Sequence, residues 1–278
     1  MMSMTKNLVC IYDLAFKPDG TELLLAADNK VYLFDVIEGG LMQSLKGHKD
    51  LVYTVAWAAD GELFASGGAD KVVILWNEKH EGTLRYSHTD VIQCMMFNPV
   101  NQILLTCALN EFGLWSTANK NVVKQRSVVR CCCCAWNTDG SIYAIGHGDG
   151  TIALRRGTSV TEEPWVHINR DIAEPVWGIA FSSNRLFAQR DSQGNATAVD
   201  EIMAVIDWNK SLSFYTLEGE LKETKMLDFE PHCISYCLNG EYLLIGGSDK
   251  VLKIYTRFEK QLKMVKEATG ISSKTKNF

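Results

Sequence analysis

One short pattern returns six times along the chain and decides what it can fold into. A strand ends in a residue pair whose second member is aromatic, and a polar turn follows. Leu14-Ala15-Phe16 precedes Lys17-Pro18-Asp19-Gly20, and Val55-Ala56-Trp57 precedes Ala58-Ala59-Asp60-Gly61. Met96-Phe97 precedes Asn98-Pro99, and Ala135-Trp136 precedes Asn137-Thr138-Asp139-Gly140. Weaker copies end at Phe181 and Tyr236, so the anchoring aromatics stand 41, 40, 39, 45 and 55 residues apart. After each turn comes a β-rich strand (Leu23–Ala27, Leu63–Ser66, Tyr143–Gly146, Tyr242–Gly246), a tight polar turn, and a third alternating strand such as Val73-Ile74-Leu75-Trp76 or Val251-Leu252-Lys253-Ile254-Tyr255. A period of about 40–45 residues is one unit of four short strands, which cannot bury its own apolar faces and must stack on a neighbour.

Residues 45–77 form the fullest unit. Gly47-His48 opens it, Ser66 lies on the second strand, Asp70 in the turn, and Trp76-Asn77 closes the third strand. This resembles the WD repeat, with Asn77 where that family has Asp. The expected fold is therefore all-β, a WD40-type β-propeller with six recognisable repeats of an expected seven. The resemblance implies that His48, Ser66, Asp70 and Trp76 form a buried structural tetrad, because a buried His and Asp must find partners. The next repeat keeps a partial tetrad, His88, Thr106 and Trp115, with Asn110 where the turn Asp would stand. The other four have lost more of the set, which leaves those blades to hydrophobic packing.

Chemistry is harder to find. His48, Asp70 and Ser66 could be taken for a protease-like trio, but that needs an exposed nucleophile and an oxyanion hole. The repeat predicts a buried, structural role instead. The run Cys131-Cys132-Cys133-Cys134 falls on a first strand, where alternate residues face opposite sides, so its members read as small packing residues. Cys233 and Cys237 read the same way. No metal, cofactor or catalytic residue is expected. His147-Gly148-Asp149-Gly150 lacks the strand-to-helix junction of a phosphate loop.

Composition sets the remaining bounds. With 46% hydrophobic residues a sizeable core is available, and the net charge of −5 argues against a general nucleic-acid binder. No apolar run approaches the ~18 residues of a membrane span. The first ten residues lack the plan of a secretion signal, so the nine cysteines are expected reduced in the cytoplasm. The domain reading is repeats over 1–255, with a polar loop inserted at 182–201, and a basic tail over 256–278, frayed or briefly helical. The sequon Asn195-Ala196-Thr197 lies in that loop. The start leaves little room for a strand before Leu14, and no turn-and-strand unit is expected after Tyr255. Both contributions to a seventh blade would then be missing.

A more specific resemblance rests on an ordered set of segments. Leu45-Lys46-Gly47-His48-Lys49-Asp50, Phe64 to Lys71, Phe112 to Ser116, Asp207-Trp208 before Leu212 to Tyr215, Phe229 to Tyr236, and Gly246 to Lys250 are similar to the WD-repeat subunits of the intraflagellar transport A complex. The resemblance covers residues 10 to about 255. It implies a non-catalytic protein-interaction scaffold in retrograde ciliary transport and cilium assembly, in the cytoplasm, the cilium and the ciliary base. Its partners would be other subunits of that complex and cargo adaptors, without nucleic acid or direct membrane insertion. The rival reading is a WD40 adaptor of another cytoplasmic assembly, such as a ubiquitin ligase or vesicle coat.

Overall fold

A computed structural model describes residues 10–117, 121–157, 159–171, 173–182, 201–237, 240–258 and 261–269. Those residues hold strands and turns and no helix. The strands form six four-stranded sheets, each a meander of consecutive strands. The first blade is β1 (Ile11–Phe16), β2 (Glu22–Ala27), β3 (Lys30–Asp35) and β4 (Leu41–Lys46). The second is β5 (Val52–Trp57), β6 (Phe64–Gly68), β7 (Val72–Trp76) and β8 (Gly82–Ser87). The third is β9 (Ile92–Phe97), β10 (Ile103–Ala108), β11 (Glu111–Ser116) and β12 (Asn121–Arg126).

The fourth blade is β13 (Cys131–Trp136), β14 (Ile142–His147), β15 (Ile152–Arg156) and β16 (Val166–Ile168). The fifth is β17 (Val176–Ser182), β18 (Ile202–Asp207), β19 (Ser211–Thr216) and β20 (Leu221–Met226). The sixth is β21 (Pro231–Cys237), β22 (Tyr242–Gly247), β23 (Val251–Phe258) and β24 (Gln261–Thr269). By contacts the chain falls into two compact units. One is Met1–Cys134 with Ser159–Thr161; the other is Ala135–Thr158 with Glu162–Phe278.

The first turn of most blades shows why the Asp-Gly pattern recurs. Gly20, Gly61, Gly140 and Gly240 all have φ between 72° and 84°, a left-handed conformation that a Cβ resists. The preceding aspartates brace the turn: Asp19, Asp60 and Asp139 accept the backbone N–H two residues on, at 2.9, 3.0 and 2.8 Å. Gly68 answers a different need. A Cβ there would sit 2.0 Å from the Leu51 carbonyl oxygen, which accepts the Ala69 N–H at 2.8 Å. Gly247 repeats the arrangement against Glu230 O at 2.1 Å, with Ser248 N–H donating at 2.9 Å. The end of the second strand is thus pinned to the loop that enters its own blade.

The core lies between blades. In the first unit, Leu24, Val31, Leu33 and Leu45 pack on Val52, Val55, Trp57, Phe64, Ile74 and Trp76 of the next blade. A second layer joins Ala65, Val73 and Leu75 to Ile92, Met95, Phe97 and Leu104. In the second unit, Ile202, Ala204 and Ile206 of β18 and Leu212 and Phe214 of β19 pack against Leu243, Ile245 and Tyr255. Burying each Leu, Ile or Phe contributes roughly 1.5–3 kcal/mol, so this stacking is the main stabilising term. The outermost strands β8 and β20 alternate between exposed and half-buried positions.

One expectation changes here, and another lies almost wholly outside the described residues. The stretch placed in a basic tail from residue 256 instead continues β23 to Phe258 and then forms β24, paired antiparallel from Val251↔Thr269 to Phe258↔Gln261. It is strand, not helix or frayed chain, as far as Thr269. The polar loop is bounded by Ser182, which ends β17, and Glu201; residues 183–200, including the sequon, lie outside the described residues, as do 270–278.

Candidate functional site

The repeat places a histidine just before a blade's first strand, a hydroxyl on its second, a carboxylate in the next turn and an indole on its third. In the second blade these four meet. His48 Nδ1 is 3.0 Å from both Asp70 carboxylate oxygens, and Nε2 is 2.8 Å from Ser66 Oγ. Trp76 Nε1–H donates to the same Oγ at 2.9 Å. With the imidazole neutral, as its lowered pKa favours, one proton arrangement satisfies all of them. His48 is neutral with its proton on Nδ1, donating to Asp70. Nε2 accepts from the Ser66 hydroxyl, whose oxygen accepts from Trp76. Burial pushes the His48 pKa below the ordinary histidine value, and it outweighs the opposing pull of Asp70.

Asp70 does more than hold the ring. Its carboxylate also accepts the Lys49 N–H at 3.0 Å and the Val72 N–H at 3.2 Å. One side chain therefore ties the entering loop to the turn between β6 and β7. That turn closes through Lys71 at φ 65°, and Lys210 and Lys250 take the same conformation in blades five and six. Ser66 has no exposed surface, so no substrate can reach it as a nucleophile, which disposes of the protease-like trio.

The third blade builds the same relay with a different acid. His88 Nε2 is 2.8 Å from Thr106 Oγ1, which also accepts from Trp115 Nε1 at 3.0 Å. His88 Nδ1 is 3.1 Å from Glu111 Oε2, and Thr89 donates to that oxygen through both its N–H and its hydroxyl at 2.9 Å. Burial pushes the Glu111 carboxyl up, but these bonds from Thr89 and His88 outweigh it and leave the pKa lowered. Sequence spacing misses Glu111, because Asn110 occupies the position where the acid belongs. The longer side chain, one position later, reaches the place that Asp70 fills.

Blades five and six replace the relay with ion pairs built on buried cations. Arg170, before β17, binds Asp207 and Ser211, whose N–H also donates to Asp207 at 3.0 Å. Lys253 on β23 reaches Asp228 at 2.7 Å and Asp249 at 3.3 Å. Asp228 again precedes the blade and Asp249 again sits in the turn. In both blades a cation held by carboxylates links the entering loop to the connection between the second and third strands, but the cation comes from the loop in blade five and from the third strand in blade six.

Two further features lie in the first unit. A cavity of about 450 Å³ is lined by Tyr53, Val91, Gln93, Leu109, Asn110 and Arg130. Those residues belong to the starts of β5 and β9, the turn after β10 and the loop entering β13, so they share the face that the relays stiffen. The second is a cluster of the Cys94, Cys107 and Cys134 sulfurs, all within 4.8 Å of one another. Hydrogen bonds from the Cys107 and Cys94 thiols bring the Cys134 thiol down to about 6, while burial pushes Cys107 up. The four-cysteine run gives no hint of this, because two of the three sulfurs come from other strands.

Six meandering four-stranded blades with such relays define a WD40-type β-propeller. Solved structures share the fold: U3-55K has a TM-score of 0.77 over 94% of this chain and 82% of its own at 15% identity, and the RRP9 WD40 repeats have 0.78 over 94% and 81%. The family model of the IFT122 first beta-propeller matches residues 10–276, and the chain belongs to that family. It is 45% identical over 251 residues to the Intraflagellar transport protein 122 homolog of Mus musculus, and 38% identical to that of Homo sapiens. Each of these alignments spans 89% of this chain and 20% and 24% of the relative's length. The Arabidopsis thaliana protein named Small ribosomal subunit protein RACK1z is 34% identical over 41% of the chain.

Proposed function

We propose that the chain is the interaction propeller of an intraflagellar transport A subunit, a non-catalytic scaffold acting in retrograde ciliary transport and cilium assembly. The family match across residues 10–276 carries this reading. The chain works in the cytoplasm, the ciliary base and the cilium, and it holds other subunits of the complex and cargo adaptors. The face around the 450 Å³ cavity is where a partner docks. Its volume is in the range of recognition pockets, and Tyr and Arg are the side chains that most often anchor a bound protein. Loops fixed by buried relays present those anchors without the ordering cost a mobile surface would carry.

Proximity labelling in ciliated cells, with the chain as bait, tests the proposal. Enrichment of intraflagellar transport A subunits over a control propeller is the expected result. Enrichment of ubiquitin-ligase or coat subunits in their place would transfer the chain to the rival class of adaptor.

A further inference from the structure

Three cysteines from three strands converge in the first unit. Cys94 and Cys107 are cross-strand partners in the third blade, on β9 and β10. Cys134 comes from β13, and its sulfur lies 3.2 Å from that of Cys94. Cys94, Cys107 and Cys134 are not joined in a disulfide. Cys107 is fully buried, while Cys94 and Cys134 are half-buried residues.

The spacing is informative. Sulfurs bound to one metal at about 2.3 Å stand roughly 3.8–4.0 Å apart, whether the metal is tetrahedral or trigonal. The Cys94 and Cys134 sulfurs, 3.2 Å apart, stand slightly inside that value, and all three sulfurs lie within 4.8 Å, so small side-chain rotations bring them to it. A disulfide needs about 2.05 Å and would leave the third thiol without a role. Among the described residues the donor set is all sulfur, with no carboxylate or imidazole in the cluster. Calcium and magnesium require oxygen ligands and are excluded, whereas soft thiolates select zinc and cuprous copper.

We propose that Cys94, Cys107 and Cys134 bind one thiophilic d10 cation through three thiolates. The expectation of no metal comes from reading the cysteine run as a strand by itself, where alternate side chains diverge. The fold removes that objection by drawing one cysteine from the run and two from the neighbouring blade. Two ions share the chemistry. Cu⁺ is satisfied by three sulfurs, and Zn²⁺ takes a water or a partner's side chain in the fourth position.

Reduced, metal-stripped 278-residue chain is titrated with Zn²⁺ against a chromophoric chelator, and with Cu⁺ against a cuprous chelator. Cobalt substitution supplies an independent readout through its thiolate charge-transfer absorption. One equivalent is expected to bind, and the tighter of the two titrations identifies the ion. Cys94→Ser and Cys134→Ser each lower affinity more than about 100-fold, beyond the loss expected for a residue that merely supports a ligand. Cys132→Ser and Cys233→Ser retain wild-type affinity. Cys107→Ser is read only if its melting shows that it folds; the two half-buried positions decide otherwise. Uptake of neither ion by the wild-type chain, or uptake undiminished in Cys94→Ser and Cys134→Ser, overturns the site.

Discussion

Asp207→Ala is expected to be the most destabilising of the polar substitutions, lowering the stability of the folded chain by about 3–5 kcal/mol. Asp207 and Ser211 have no exposed surface, and the Arg170 side chain is 3% exposed. Removing the carboxylate strands a guanidinium that cannot lose its proton, beside a Ser211 N–H that also loses its acceptor. The penalty comes from the charge left behind rather than from the value of the pair itself. For that reason Arg170→Met/Asp207→Leu is expected to recover much of the loss. Urea or thermal melts of the three proteins give the answer. A single variant as stable as wild type would mean that Arg170 reaches water.

Asp70→Ala is expected to lower stability by about 1–3 kcal/mol. It unpairs His48 Nδ1–H and removes the acceptor for the Lys49 and Val72 N–H groups. The same relay sets a pH dependence. The folded-state pKa of His48 and of His88 is lowered, with burial as the leading cause. Below about pH 6.5 the unfolded chain therefore binds protons that the folded chain refuses, and stability falls as pH falls. Above that value the contribution is fully present. Melts from about pH 8 to about pH 5 would show a steady loss on the acid side. An unchanged midpoint in Asp70→Ala would contradict the relay.

How much of this could be read from the sequence depended on spacing. The second blade was legible because His48, Ser66, Asp70 and Trp76 stand at the family's intervals and each has the expected chemistry. The third lost its acid by one position, since Glu111 compensates a shift with one more methylene. Blades five and six were illegible because their side chains changed type: Arg170 and Asp228 stand before the blade where His48 does, and the cation of blade six, Lys253, comes from the third strand. Strand β24 read as a tail for a related reason. Its sequence sets Lys263, Lys266 and Glu267 among apolar residues, which blurs the alternation that marks a strand. The cysteine cluster needed three strands in space, which no linear spacing encodes.

Buried relays hold a face proposed for docking, and one paired measurement tests this. Tyr53→Ala/Arg130→Glu changes the cavity lining without touching a relay. The double variant is carried through proximity labelling in ciliated cells, with its thermal midpoint measured in parallel. The midpoint is expected to fall by no more than about 4 °C, as for the loss of the edge-on Tyr12 ring contact, worth about 1 kcal/mol. Labelling of intraflagellar transport A subunits is expected to fall by about tenfold or more, as for the loss of two anchoring side chains. Undiminished labelling by a normally folded variant would contradict the docking face.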